Sequence, residues 1–366
     1  MYHNPVKVVE SNNWRKSVIE HQKKLRIQKP IIVTSSGNLK REKLSTVFNS
    51  NSILSSVKPN PTFESCQTAI EYCHTSRFDG VIAIGGGSVM DTAKVIMASM
   101  GTGISDVAEL MKVTNPYGKR VPSIFIPTTH GTGSEVTMWG TIWDMKEKKK
   151  YSISHPDLYP DIAVLNGNLT VSLPVHISLE TTLDSLSHSF EAIWNKNANP
   201  KSTEYAIEAI CLILVNSERL KDEHKNISLR NILMKASNIA GLAFSNTKTA
   251  AAHSISYPLT IKYGIPHGIA CSLPLLPLMQ INKVAIEKEL NLIIKKLEMS
   301  GFSALEDCIK RIPGDMIKFN LKDWGVSRSD LDNLARESFT KGRIDNNIVD
   351  LSYHDIKLIL TESFSC

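Results

Sequence analysis

The sequence predicts an α/β N-terminal domain built on a parallel sheet, followed by an all-α C-terminal domain. Three observations predict it. Short, fully apolar runs alternate with helix-periodic stretches up to about residue 170, the pattern of a parallel sheet covered by helices. Beyond that point apolar strand runs largely disappear and long helical patterns take over. Between the two regimes lies Ser172-Leu173-Pro174, which sets the expected domains at 1–172 and 173–366.

Taken in order, PIIVTSS reads as a strand ending in a small-residue turn. FESCQTAIEYCHTSRF, after the turn Pro59-Asn60-Pro61-Thr62, reads as a helix. GVIAIGGGS is a buried strand running into a glycine turn, DTAKVIMASM a helix and PSIFIPTT another buried strand. In the second half, Leu179, Leu183, Leu186, Phe190 and Ile193 recur at steps of four and three, one face of a helix. STEYAIEAICLILVNSERL and LRNILMKASNIAGLAFS continue the helical pattern.

Bulk composition narrows the function classes. The chain has 366 residues, 42% hydrophobic and 21% charged, with a net charge of +6, ordinary for a globular protein of two domains. The densest basic run, Lys146-Glu147-Lys148-Lys149-Lys150, is broken by an acid and reads as a solvated turn, so no nucleic-acid partner is expected. The mild surplus favours an anionic substrate or cofactor. Six scattered cysteines without a CxxC pair fit a reducing compartment and neither a disulfide framework nor a thiolate zinc site. No signal-like stretch opens the chain and no run approaches about twenty apolar residues. The expectation is a cytoplasmic protein without membrane contact.

Two segments point to phosphate binding. Gly85-Gly86-Gly87-Ser88 follows an apolar strand and opens the helix containing Asp91 and Lys94. Exposed backbone N–H groups and the positive helix end make such a junction an anion site, and glycine lets a phosphate approach closely. The sequence is neither GxGxxG nor a Walker A loop. Pro127 to Glu135, PTTHGTGSE, is a second small-residue segment after a strand, with hydroxyls suited to a pyrophosphate. Open α/β sheets bind nucleotides at the carboxyl ends of their strands.

A further constellation has metal-ligand character. Asp184 and His188 are four apart and share one helix face; His253 and His267 lie fourteen apart, the latter in a Pro-His-Gly corner. Singly, each has a plain structural reading: a surface ion pair, or a satisfied core histidine. Together, one carboxylate and three imidazoles suit Fe²⁺, Zn²⁺ or a similar ion, which polarises a carbonyl or alcohol oxygen.

These residues resemble the iron-containing (group III) alcohol dehydrogenases. The matching pieces are PNPT at Pro59–Thr62, GGGSVMDTAK at Gly85–Lys94, PTTHGTGSEVT at Pro127–Thr137, DSLSHSFEA at Asp184–Ala192 and the two-histidine segment His253–Gly268, in the family's order. The resemblance implies a Rossmann-like dinucleotide-binding domain and a helical metal domain, the dehydroquinate synthase-like architecture, with the active site in the cleft between them. It implies that Asp184, His188, His253 and His267 carry the metal. It also implies that Gly86, Gly87, Ser88, Thr128 and Thr129 hold the pyrophosphate, with Asp91, Thr137, Trp139 and Lys150 along the cofactor path. It suggests a homodimer.

The chain departs from the family at two places. Tyr257 stands where many members have a second histidine that relays protons; tyrosine, with an unperturbed pKa of about 10, is a poor base at neutral pH. Proton delivery through Thr260, His130, ribose hydroxyls or metal-bound water is the alternative. Ser35 stands where NAD-preferring members often have aspartate, which would repel a 2′-phosphate. With Lys40 and Arg41 nearby, NADPH is favoured over NADH. The SYPLT…IPHG version of the distal motif resembles the branch acting on phosphonoacetaldehyde and hydroxyethylphosphonate, and Lys248 is a candidate for gripping an anionic head group. The expected reaction is hydride transfer between a nicotinamide and a short aldehyde or alcohol. A sugar-phosphate cyclase-like lyase on the same scaffold, or a non-catalytic nucleotide-binding protein, are the alternatives.

Overall fold

The computed structural model describes residues 2–115, 117–147 and 149–365. The chain divides into two compact units: Asn4–Thr129 with Ser134–Thr170, and Met1–His3 with His130–Gly133 and Val171–Cys366.

The first unit is α/β, as expected. Strands β1 (Lys7–Glu10), β2 (Pro30–Thr34), β3 (Ile53–Leu54), β4 (Gly80–Gly85), β5 (Ser123–Pro127) and β8 (Ile162–Leu165) form one sheet in the order β1-β8-β5-β4-β2-β3. Every pairing in it is parallel. The central strands β2, β4 and β5 are buried at every position, which is why they read as unbroken apolar runs. Alternate residues feed opposite faces. Ile31, Val33, Val81, Ala83 and Phe125 pack with Cys66, Ile70, Met90 and Ala93 of helices α3 (Phe63–His74) and α4 (Gly87–Thr102). Ile32, Ile82, Ile84, Ile124 and Ile126 pack with Trp14 and Val18 of α1 (Trp14–Lys24). Two short helices, α2 (Ser36–Arg41) and α5 (Val107–Leu110), complete the cover.

An antiparallel hairpin, β6 (Trp139–Asp144) with β7 (Lys149–Ser154), belongs to the same unit. The basic run is therefore only partly a turn. Lys146 and Glu147 occupy it, Lys149 and Lys150 open β7, and Lys148 lies outside the described residues.

The second unit is helical: α6 (Val175–Ile193), α7 (Pro200–Asn216), α8 (Ile227–Thr247), α9 (Ala251–Tyr263), α10 (His267–Ser272), α11 (Leu275–Asn282), α12 (Glu287–Lys296), α13 (Phe302–Arg311), α14 (Leu331–Glu337) and α15 (Tyr353–Glu362). Fourteen of the nineteen residues of α6 are buried, so it is the central helix rather than a surface amphipath. Among the described residues no single helix is long and apolar enough to cross a membrane.

Candidate metal centre and phosphate turn

Helix α6 supplies Asp184, His188 and Glu191, at i, i+4 and i+7 on one face. Asp184 and His188 are 3% and 5% exposed, Glu191 fully buried. Helix α9 brings His253 and α10 begins at His267. Asp184 Oδ1 lies 3.8 Å from His188 Nε2 and 3.7 Å from His253 Nε2. Ligand atoms about 3.4 Å apart are what a tetrahedral ion with ~2.1 Å bonds requires. Ligand atoms of Asp184, His253, His267 and Cys271 all lie within 4.8 Å of one another. The His188 ring stacks on His253 with centroids 4.6 Å apart, and on Phe244.

Two members of this cluster are absent from the expected ligand set. Glu191 takes both polar hydrogens of His253: the backbone N–H donates to Oε1 at 3.0 Å and ring Nδ1–H to Oε2 at 2.5 Å. That fixes the ring's orientation and leaves Nε2, which has no hydrogen-bond partner, facing Asp184 Oδ1, where a bound ion would displace its proton. The Cys271 thiol, one turn after His267, donates to Asp184 Oδ1 at 3.3 Å. Its spacing from His267 was readable in the sequence, as was that of Glu191 from His188.

The electrostatics follow from crowding charge in a dry interior. Burial would raise the Asp184 carboxyl, but the three imidazoles override it and hold it well below the usual range. Burial pushes His188 down to about 4, against the pull of Asp184. Burial also disfavours charged His253, yet Glu191 and Asp184 outweigh it and raise it to about 9. Burial pushes the Cys271 thiol well up. A deprotonated carboxylate, inward-facing imidazoles and an orphaned nitrogen form a donor set that fits a divalent cation.

Glycine makes the close approach possible. A Cβ at Gly268 would lie 2.2 Å from the Glu180 carbonyl oxygen, so only glycine lets the start of α10 touch α6. Gly133, at φ +56°, lies against the Gly241 backbone in the same way, and Gly131 against Thr181. The HGTG part of the second small-residue segment is thus packed into the helical unit. His130 is 1% exposed and both ring nitrogens are engaged. Nδ1 faces Thr182 Oγ1 at 3.2 Å, and Nε2 accepts from Arg230 at 3.3 Å. Burial and the Arg230 charge press its pKa to about 3.

In the α/β unit the carboxyl ends of β2, β4 and β5 lie side by side, with Thr34 opposite Ile84 and Gly85 opposite Pro127. Gly86 is the N-cap of α4 and brings no side-chain cap, leaving first-turn N–H groups for an anion. A Cβ there would lie 3.2 Å from Thr129. Thr128 Oγ1 accepts from Asn38, and Ser88 Oγ accepts from the Asn60 backbone N–H of the PNPT turn. Ser35 caps α2 through Asn38 N–H, and Arg41 donates to Asn38 Oδ1 at 2.7 Å.

Lys94, fully buried, organises the rest of this segment. Its ammonium lies within 2.9 Å of Ser134 O and Oγ, Thr137 Oγ1 and Trp139 O. Burial lowers it to about 7, Asp91 opposing the shift. Asp91 accepts from Ser134 Oγ. Thr137 is therefore a buried partner of Lys94, Trp139 heads β6, and Lys150 sits over the Trp143 ring. Tyr257, one turn after His253, accepts from Arg343 Nε at 3.3 Å. Thr260 Oγ1, a further turn on, is buried without a partner. Lys248 is exposed at a corner with φ +65°.

A phosphate-type turn on an open parallel sheet and a buried carboxylate–imidazole cluster are the parts of a dinucleotide-linked metal oxidoreductase. Residues 5–167 match the iron-containing alcohol dehydrogenase family, and residues 178–364 match the C-terminal Fe-containing alcohol dehydrogenase family. The chain belongs to the iron-containing alcohol dehydrogenase family. It is 35% identical over 243 residues to the probable alcohol dehydrogenase EutG of Escherichia coli, covering 65% of this chain and 61% of that protein. It is 33% identical over 212 residues to phosphonoacetaldehyde reductase of Streptomyces viridochromogenes, covering 56% and 54%. The match thus spans about three fifths of the first relative's length and about half of the second's. The crystal structure of sulfoacetaldehyde reductase from Bifidobacterium kashiwanohense in complex with NAD⁺ superposes with a TM-score of 0.89 at 27% identity, covering 100% of this chain and 98% of that one.

Proposed function

We propose that the chain interconverts a short aldehyde and its primary alcohol in a metal-dependent, nicotinamide-linked reaction, the aldehyde bearing a phosphonate or sulfonate group. The observation that carries this reading is the cluster in which ligand atoms of Asp184, His253 and His267 lie within 4.8 Å of one another, with His188 Nε2 3.8 Å from Asp184 Oδ1. These residues would hold Fe²⁺ or Zn²⁺, both of which suit oxygen and imidazole donors. When bound, such an ion polarises a carbonyl oxygen and stabilises developing alkoxide charge.

The chain's own groups do the rest. Glu191 aims His253 Nε2 inward by holding Nδ1–H. The bare start of α4, with Gly86, Gly87, Ser88, Thr128 and Thr129, would receive the pyrophosphate. Ser35 puts no carboxylate beside the adenosine ribose, so a 2′-phosphate meets no repulsion there, and NADPH is favoured over NADH. Tyr257 supplies a phenol as hydrogen-bond donor rather than base. His130 has both nitrogens occupied, which removes it from the candidates for proton delivery. The relatives acting on phosphonoacetaldehyde and sulfoacetaldehyde support an anionic substrate, as does the net charge of +6.

The test is a reductase screen with protein of measured metal content. NADPH and NADH are each offered with neutral, carboxylated, phosphonylated and sulfonylated two-carbon aldehydes. Oxidation of the nicotinamide in step with aldehyde loss is expected, with higher kcat/KM for the phosphonate or sulfonate. Metal-replete protein that oxidises neither cofactor with any aldehyde would end this reading; equal kcat/KM for both cofactors would end the NADPH preference alone.

A further inference from the structure

We propose that Arg343, together with the Tyr257 hydroxyl, reads the anionic head group of the substrate. This rests on the aldehyde reductase reading and adds the residues that select the substrate class.

Helix α9 presents His253, Tyr257 and Thr260 at i, i+4 and i+7, one stripe on one face. Tyr257 is one helical turn, about 6 Å, from the proposed ligand His253. Arg343 arrives from a separate turn 86 residues downstream and donates Nε–H to Tyr257 Oη at 3.3 Å. Its NH1 donates to its neighbour Gly342 O at 2.9 Å. Among the described residues no carboxylate lies within ion-pair distance of Arg343, and its NH2 makes no hydrogen bond. A guanidinium is charged at every physiological pH. It is here half-buried beside a phenol and lacks a counter-ion.

The turn carrying it is held firmly. Asn346 Nδ2 donates to Thr249 O at 2.8 Å and to Gly342 O at 3.0 Å. Lys196 N–H donates to Asn346 O and Ile348 N–H to Trp194 O. These bonds tie the turn to the approach of α9 and to the segment after α6, the two elements that supply Asp184, His188 and His253. Arg343 is thus fixed relative to the metal cluster within one unit.

The chemistry matches a tetrahedral oxyanion. An arginine fork and a phenol O–H are complementary to the oxygens of a phosphonate or sulfonate. A two-carbon aldehyde sets its head group ~5 Å from its carbonyl oxygen, on the order of one helical turn. Thr260 Oγ1, buried on the same stripe and unpartnered, is a further donor. Lys248 is the weaker candidate. It is exposed at a strained corner, and a lysine is a point charge without fork geometry.

The experiment compares wild type, Arg343→Ala, Arg343→Lys, Tyr257→Phe and Lys248→Ala on phosphonate-bearing, sulfonate-bearing and neutral two-carbon aldehydes. Ethylphosphonate and ethanesulfonate are also titrated calorimetrically into each purified holoenzyme. Arg343→Ala should lower kcat/KM for the anionic aldehydes about 10–150-fold, the worth of a hydrogen bond to a charged group. The loss should fall mainly on KM, with neutral aldehydes changed less than about threefold and binding of the anionic probes abolished. Arg343→Lys should recover part of the loss. Preserved turnover of the neutral aldehyde shows that the variant folds. Equal losses on charged and neutral aldehydes, no loss, or selective loss in Lys248→Ala instead would each overturn the assignment. If wild type reduces no aldehyde, the reductase reading fails separately, and the calorimetry still decides the anion site: no probe binding by wild type, or undiminished binding by Arg343→Ala, removes it.

Discussion

Gly268→Ala is the sharpest probe of how the metal cluster is assembled. An alanine Cβ would lie 2.2 Å from the Glu180 carbonyl oxygen and 3.2 Å from Asp184 Cβ. The first obstacle is helix backbone, which cannot rotate away as a side-chain tip would. Restoring an ordinary 3.4 Å contact requires α10 to withdraw from α6 by roughly 1.2 Å, the difference of the two distances. Metal bonds of about 2.0–2.1 Å tolerate shifts of only ~0.2 Å. His267 is the adjacent residue and opens α10, so the displacement would carry it out of the coordination shell. Metal affinity should fall at least 10–100-fold, and metal-free stability by about 1–3 kcal/mol from overpacking. Chelator competition followed by elemental analysis measures the first, and denaturant unfolding of stripped protein the second. A folded Gly268→Ala variant that keeps wild-type metal affinity would refute either the rigidity of this contact or the role of His267.

Glu191→Gln keeps the size of the side chain but loses the carboxylate that holds His253. Metal affinity should drop about 10–100-fold by the same competition assay, and wild-type affinity would show that the pairing is dispensable. In metal-free protein the raised pKa of His253, about 9, contributes stability that is full below pH 6.5 and lost as pH rises through 9. His253→Gln should remove that component from the stability–pH curve, and an unchanged curve would contradict it. His130 has the opposite sign. Its folded pKa of about 3 lies below the unfolded value, so it costs stability as pH falls below 6.5, and His130→Gln should flatten that acid limb in urea titrations. Lys94→Met should cost about 1–3 kcal/mol by stranding the acceptors on Ser134, Thr137 and Trp139. It should also raise KM for the dinucleotide; an unchanged KM would confine Lys94 to stability.

What was legible in the sequence, and what was not, has physical causes. Strands β2, β4 and β5 are buried on both faces and so betray themselves as unbroken apolar runs. In the hairpin, β6 mixes buried and half-buried positions and β7 is mostly exposed and opens on lysines, so its signal merges with that of a solvated loop. Asp184 and His188 were readable because a shared helix face is written into their spacing. Glu191 and Cys271 have comparable spacing, yet a helical glutamate is usually solvated and an isolated cysteine usually inert. Only burial distinguishes them. The HGTG segment read as part of a pyrophosphate loop by its hydroxyls, but its Gly131 and Gly133 serve close packing on α6 and α8. Arg343 was not readable at all, since nothing local links it to Tyr257.

That division bears on how the site works. Asp184, His188 and the support for His253 all lie on α6, a helix buried along most of its length, so the proposed metal geometry rests on an element with little room to move. Arg343 stands on a short turn joined by backbone hydrogen bonds to the segment just after that helix, and by Asn346 to the approach of α9. A substitution there can alter which aldehyde is accepted without disturbing the ligands. Changes at Glu191 or Gly268 should then abolish turnover of every substrate together with the metal. Changes at Arg343 should re-rank substrates in an enzyme that keeps its ion. Opposite behaviour, with metal loss on changing Arg343 or altered substrate ranking on changing Glu191, would mean that the two layers are not separable and that the turn is part of the ligand scaffold.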